Sequence, residues 1–122
     1  MLLDERKVVH WAMDPQTGDA ARSKIRNSSR EIEMCARCHA RRSPISRDYV
    51  HGESLLDHYL HRLLDDGMYH ADGQIDDEVY VYGSFLQSRM YQAGVTCSDC
   101  HEPHSLQLRA PGDGVCLQCH AA

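Results

Sequence analysis

The chain of 122 residues contains six cysteines, and all six fall in one five-residue pattern that occurs three times: Cys35-Ala-Arg-Cys38-His39, Cys97-Ser-Asp-Cys100-His101 and Cys116-Leu-Gln-Cys119-His120. None is left over. Two cysteines three positions apart, followed at once by histidine, form the attachment signature of c-type haem: the thiols add to the two vinyl groups and the imidazole ligates iron. On a helix, positions i, i+3 and i+4 share one face, so both sulfurs and the imidazole approach a single porphyrin from one side. Structural zinc needs four ligands per site and no histidine directly after each pair, while a disulfide framework leaves the three histidines unexplained. The pattern predicts three haem c groups with their iron. Cys35, Cys38, Cys97, Cys100, Cys116 and Cys119 are the thioether positions, and His39, His101 and His120 the proximal iron ligands.

Such a cofactor load bears on the fold. The length suits one domain, residues 1–122, and a single Phe and a single Trp leave few bulky side chains for a core. Three flat apolar macrocycles would fill that interior, burying their faces against Leu, Val and Tyr. The expected fold is mainly α with extensive irregular loops, a small multihaem protein wrapped around a covalent haem core. The segment to about Arg26, with Asp14-Pro15 and Thr17-Gly18, reads as irregular and turn-rich. Ser28 with Glu31 reads as a capping box ahead of the first motif, Thr96 as a cap for the second and Asp113 for the third, placing each motif at or near a helix start.

From Ser54 to Asp65, Leu55, Leu56, Leu60, Leu63 and Leu64 recur at helical spacing, with Gly67 as the stop, so an amphipathic helix is expected there. A turn-rich loop holding Tyr69 and His70 between Gly67 and Gly73 follows. Asp76 to Ala93 then reads as a second helix ending at Gly94, with three acids at its start.

Three of the nine histidines belong to the motifs, leaving His10, His51, His58, His61, His70 and His104 for the sixth positions on iron. His104 follows the second motif as Cys-His-Glu-Pro-His, where proline stiffens the backbone. His70 sits in its glycine-flanked loop, and His51 precedes Gly52. These three are the expected distal ligands, with His10, beside Trp11, as the alternative. His58 and His61 flank the leucine stripe and read as a partly exposed surface pair. Met13, Met34, Met68 and Met90 read as ordinary packing residues rather than ligands. Arg37, Arg41, Arg42 and Arg47 surround the first motif, where guanidinium groups can meet haem propionates or simply face water.

The charge is lopsided. Residues 1–62 carry eleven Lys/Arg and nine Asp/Glu, a balance of +2, whereas residues 63–122 carry two and nine, a balance of −7. The acidic excess argues against nucleic acid as a partner and for a basic protein patch, including that of a second copy. No run of apolar residues is long enough for a membrane span, and MLLDERKVVH lacks the apolar stretch of a secretion signal. Haem attachment belongs to the periplasm or its equivalent, so a periplasmic or extracellular protein whose signal is removed or missing is expected.

The stretches CARCHARRS, DYVHG and YHADGQIDDEVYVYGSFLQSRMYQAGVTCSDCHEPHSLQLRAPGDGVCLQCH resemble the multihaem cytochromes c often joined to tetratricopeptide repeats. They are also similar to the doubled C-x-x-C-H cytochromes. The resemblance implies electron transfer outside the cytoplasm through closely packed, mostly bis-histidine haems, and it points again to His51, His70 and His104. Such cytochromes usually continue with more C-x-x-C-H motifs, so the chain reads as a minimal version or a fragment of a longer multihaem protein.

The function expected is electron transfer to redox partner proteins, not substrate conversion. Head-to-tail assembly into a conducting filament is a more specific form of it, motivated by the charge asymmetry and the third motif near the C-terminus. The alternative is part of a multihaem oxidoreductase acting on nitrogen compounds, which would need one haem with an open distal face; the surplus of histidines argues against it.

Overall fold

The computed structural model describes residues 9–62, 64–103 and 105–120. They group into two compact units, one of residues 28–92 and one built from the two ends of the chain, residues up to 27 together with 93 onward.

The unit formed by the chain ends begins with a hairpin in the segment expected to be irregular. Strand β1 (Trp11–Met13) pairs antiparallel with β2 (Ala20–Arg22), Trp11 opposite Arg22. The Asp14-Pro15 and Thr17-Gly18 turn residues lie between the strands. Gly18 N–H donates to the Asp14 carbonyl at 2.8 Å with Gly18 at φ 73°, so the left-handed turn favours glycine. In the C-terminal half, α4 (Cys97–Cys100) leads into β5 (His101–Glu102), which pairs with β6 (Gln107–Leu108) before α5 (Gly114–Leu117). Among the described residues here, Gly94, Val95, Thr96, Ser98 and Asp99 are buried. The centre of this unit is the turn of the second motif itself.

The 28–92 unit is built on α1 (Arg30–His39), whose buried face is Ile32, Ala36 and, just past its end, Ala40. These four-residue steps put one apolar stripe against the chain that follows. Ala36 and Ala40 pack with Leu55 and Tyr59, and Tyr49 and Tyr82 lean on that cluster. The helix starts at Arg30 with Ser29 at its N-cap and no side-chain cap bond; Ser28 Oγ instead accepts from Arg30 N–H at 3.4 Å. The first motif therefore lies at the end of its helix rather than the start.

The leucine helix expected over Ser54–Asp65 is not formed. Leu55–Asp57 make one 3₁₀ turn, and Tyr59–His61 form strand β4, antiparallel to β3 (Arg42–Pro44) with His61 opposite Arg42. Leu55 and Tyr59 are buried as an i, i+4 pair would be, but Tyr59 and His61 face inward around an exposed Leu60, the two-residue period of a strand. The Ile45 and Ser46 N–H groups both donate to the His58 carbonyl, and cross-strand pairing overrides the helical spacing. Leu63 lies outside the described residues.

The second expected helix begins late and breaks once, as α2 (Val81–Gln87) and α3 (Arg89–Gln92). Its leading acids are used elsewhere. Asp76 and Asp77 N–H groups return to the Met68 carbonyl, Arg41 N–H donates to the Val79 carbonyl, and Tyr80 stands at φ 62°. Ser88 ends the first piece by donating its hydroxyl to the Phe85 carbonyl at 2.7 Å. Among the described residues the result is five short helices and three two-stranded sheets, none closed, so the mainly α expectation holds only in part. Among the described residues no helix is long and apolar enough to cross a membrane.

One glycine tests this packing. A Cβ at Gly83 in α2 would run into the hydroxyl of buried Tyr69. Gly83→Ala should gain up to about 1 kcal/mol of helix propensity but lose about 1–3 kcal/mol to overpacking. The melting temperature of the haem-loaded variant should fall; a rise would show that Tyr69 swings away freely.

Candidate haem sites

In the second and third motifs the same backbone bond closes the turn: the histidine N–H donates to the carbonyl of the first cysteine four residues earlier. His101 bonds Cys97 in this way, and His120 bonds Cys116 at 2.9 Å. In the first motif all five residues lie within α1. The one-face arrangement expected from the spacing is thus provided by local backbone geometry in each motif.

All six cysteines are described and none is joined to another in a disulfide. Cys38, Cys116, His39, His101 and His120 are exposed, and Cys35, Cys97, Cys100 and Cys119 are half-buried. Among the described residues no group of three or more His, Cys, Asp or Glu is placed to hold a bare metal ion, the cluster that structural zinc would use.

The second motif is the most strongly braced. Asp99, between its two cysteines, is 7% exposed and accepts the Thr96 N–H at 2.8 Å, forming with Thr96 the capping box that starts α4. Its other oxygen accepts the indole N–H of Trp11 at 3.0 Å. On the far side the β5–β6 hairpin folds back on the motif: Arg109 N–H bonds the Cys100 carbonyl at 2.9 Å and its guanidinium bonds the Ser98 carbonyl. A hollow of about 420 Å³ lies between this hairpin and the third motif, lined by Glu102, Ser105, Gln107, Leu108, Arg109 and Gln118. The third motif's α5 begins after Asp113, which caps through its backbone carbonyl, accepting from Cys116 and Leu117, and not through its side chain.

The candidate distal histidines separate by environment. His51 sits in a turn closed by Glu53 N–H on the Val50 carbonyl, with Gly52 at φ 101°, and both its ring nitrogens are buried with no hydrogen-bond partner. His70 is exposed, its loop closed by its own N–H on the Gln74 carbonyl at 2.8 Å, and its Nε2 lies 3.3 Å from Asp76. His10 is exposed and flanks the hairpin, its backbone N–H bonding Ser23 Oγ at 3.0 Å. His104 lies outside the described residues.

The reading of His58 and His61 as a partly exposed pair on a helix is corrected. His58 is half-buried, with Nε2 2.9 Å from Glu53 and Nδ1 unpartnered. His61 is 8% exposed, packs on Tyr82 with ring centroids 5.0 Å apart, and leaves both nitrogens unpartnered. A neutral imidazole carries one donor and one acceptor, and burying both unpaired is costly. The signal for His61 was the strand period of Tyr59-Leu60-His61, hidden by the leucine spacing.

Of the arginines near the first motif, Arg37 stacks over Tyr49 and Arg42 over Tyr59, at 5.3 and 4.3 Å from the ring centroids. Arg41 bonds the Glu78 carbonyl at 2.9 Å. Arg47 is exposed.

The residues present fit haem c. Paired thiols and an adjacent imidazole stand on one closed turn in each motif, and half-buried His51 and buried His61 offer ring nitrogens without a well-formed hydrogen bond among the described residues. Residues 90–122 match the family model of the doubled CXXCH motif, a feature of multihaem c-type cytochromes, which indicates covalently bound haem c with its iron. The match covers the second and third motifs and not the first, and it does not confirm the tetratricopeptide association. No curated protein and no solved structure matches the chain significantly.

Burial, and then the Arg42 charge, hold the His61 pKa below its ordinary 6.5. The folded state thus keeps this imidazole neutral; its contribution is fully present above pH 6.5 and is lost as the pH falls below that value. In a Cys35→Ser, Cys38→Ser variant whose first motif carries no haem, the melting temperature should drop between pH 7.5 and 5.5 more steeply than when His61→Leu is added. Parallel acid arms in the two melting curves would remove His61 as the cause.

Proposed function

We propose that the protein transfers electrons through three covalently bound c-type haems. The observation that carries this reading is the closed turn presenting two thiols and an imidazole, present at the doubled motif and repeated in sequence at Cys35–His39. Cys35, Cys38, Cys97, Cys100, Cys116 and Cys119 hold the porphyrins, and His39, His101 and His120 are the proximal ligands. When bound, haem supplies reversible one-electron exchange. The chain's part is to fix the axial imidazoles and the charge around them.

Bis-histidine ligation is supported by the supply of imidazoles. His51, His70 and His104 are the distal set read from the sequence, with His10 as the alternative. The unit of residues 28–92, which contains the first motif, adds His61 through its buried, unpartnered ring. His51 and His61 are the residues of this unit that would hold the iron of the first haem on its distal side, since the ring nitrogens of both lack a well-formed hydrogen bond among the described residues. His70, already beside Asp76 at the surface, has less need of one.

The site of action is the periplasm or the cell exterior, where such haems are attached. The partner is a redox protein with a basic patch, matching the −7 balance of residues 63–122. A second copy presenting its +2 half meets the same requirement, and this supports head-to-tail assembly.

The test is direct. Mass spectrometry and the alkaline pyridine spectrum of protein made with a haem-attachment system should show three haems, one of which is lost from Cys35→Ser. Dithionite should reduce all three and air reoxidise them. His51→Ala or His61→Ala, whichever residue is the ligand, should turn one haem high-spin. A high-spin haem that binds nitrite in the wild type would overturn the carrier reading in favour of an oxidoreductase, and fewer than three haems would overturn the count.

A further inference from the structure

The doubled motif contains one group that haem attachment does not call for. Asp99 occupies a variable position between Cys97 and Cys100, yet it is 7% exposed and every hydrogen bond described at its carboxylate comes from a donor: Trp11 Nε1 at 3.0 Å, Thr96 N–H at 2.8 Å and Thr96 Oγ1 at 3.3 Å. Two of these donors come from the residue that starts α4. The third comes from β1, 88 positions away in sequence. A surface aspartate at the same position would satisfy the capping box equally well without reaching an indole.

We propose that Asp99 is a positioning residue for the haem carried by Cys97 and Cys100, and that its buried carboxylate lowers the midpoint potential of that haem. The inference rests on the reading of Cys97, Cys100 and His101 as a haem site. Two physical effects follow from the placement. The carboxylate pins both ends of the turn that carries the thiols, through the Thr96 N–H at its start and through its own backbone between the cysteines, and the Trp11 bond ties that turn to the N-terminal hairpin. A fixed negative charge next to the Cys100 thioether and two positions from that of Cys97, shielded from water, opposes the arrival of an electron and so favours the oxidised form. Arg109, whose guanidinium bonds the Ser98 carbonyl beside it, damps this charge without replacing it. The Trp11 N–H damps it further, because a donor aimed at a carboxylate spreads its charge.

These two partners give the proposal opposite signs to test. Asp99→Asn removes the charge and keeps one acceptor oxygen for the indole, while its amide NH2 replaces the oxygen that accepts from Thr96 N–H. Trp11→Phe keeps the charge and removes a donor that moderates it. In spectroelectrochemical titration of the haem-loaded full chain, Asp99→Asn should raise one midpoint potential by about 59 mV, a tenfold change in the oxidised-to-reduced ratio for a one-electron couple. The other two should stay within a twofold change. Trp11→Phe should move the same haem the other way, by a smaller step. A merely structural role would shift both variants in one direction, through loosened packing and entry of water, and that result overturns the proposal. So does an Asp99→Asn potential within twofold of wild type. Should Asp99→Asn fail to retain haem, Trp11→Phe decides alone: a lowered potential supports the role of the charge and an unchanged or raised one removes it. A wild-type chain that binds no haem at Cys97 and Cys100 would instead sink the reading of the site, which separates the two failures.

Discussion

The turn that places a histidine N–H on a cysteine carbonyl four residues back is the smallest structure in the protein, and most of what surrounds it follows from it. A C-x-x-C-H segment laid out as a strand would send its side chains to alternate faces and could not present both thiols and the imidazole to one ring. Helical closure is therefore required at three places, yet the chain grants each only enough helix for the purpose: four residues at the second and third motifs, and the end of a ten-residue helix at the first. Helices this short are marginal alone. Something else has to hold them, and each is held differently. The second has Thr96, Asp99, Trp11 and Arg109 around it, the third a backbone cap from Asp113, and the first an apolar stripe packed on Leu55 and Tyr59.

That division explains the composition of the interior. In the unit of residues 28–92 the main apolar cluster is two alanines, a leucine and a tyrosine, with two more tyrosines leaning in and Ile32, Tyr69 and Val79 buried beside it; in the unit of the chain ends the buried residues are mostly the polar turn of the second motif. Neither is large. Meanwhile Ile45, Val50, Leu56 and Leu60 are exposed on the protein alone. A chain with one Phe and one Trp spends both outside the main apolar cluster, Trp11 on a carboxylate and Phe85 against Tyr91. Apolar macrocycles joined covalently to such a framework supply the surface that its side chains do not.

What the sequence disclosed tracks the range of the interaction involved. The motifs, the cap at Thr96 and the glycine-flanked loop around His70 depend on residues within a few positions of one another, and all three stand where local chemistry put them. The conversion of the leucine stripe into a 3₁₀ turn and a strand depends on pairing with β3, well back along the chain, whereas the N-terminal hairpin and the break at Ser88 are closed by nearer partners that turn residues and helical spacing did not disclose. Leu55 and Tyr59 illustrate the trap: both are buried four apart, as on a helix, because one belongs to a turn and the other to the strand that follows it. The bond between Trp11 and Asp99 had no sequence signal at all, since neither residue is unusual in its own neighbourhood.

The same reasoning reorders the distal histidines. Sequence position ranked His70 high for its glycines and His61 low for its leucines, but a ligand is a nitrogen in want of a partner, and that is a property of burial. His70 keeps water and Asp76 within reach of its ring and loses little if no iron is there. The ring nitrogens of His51 and His61 have given up water without a well-formed hydrogen bond among the described residues, so coordination would recover for them what folding removed. In a protein whose ordinary core is this thin, burial of that kind is what places His51 and His61 ahead of His70 in the proposed ligand set.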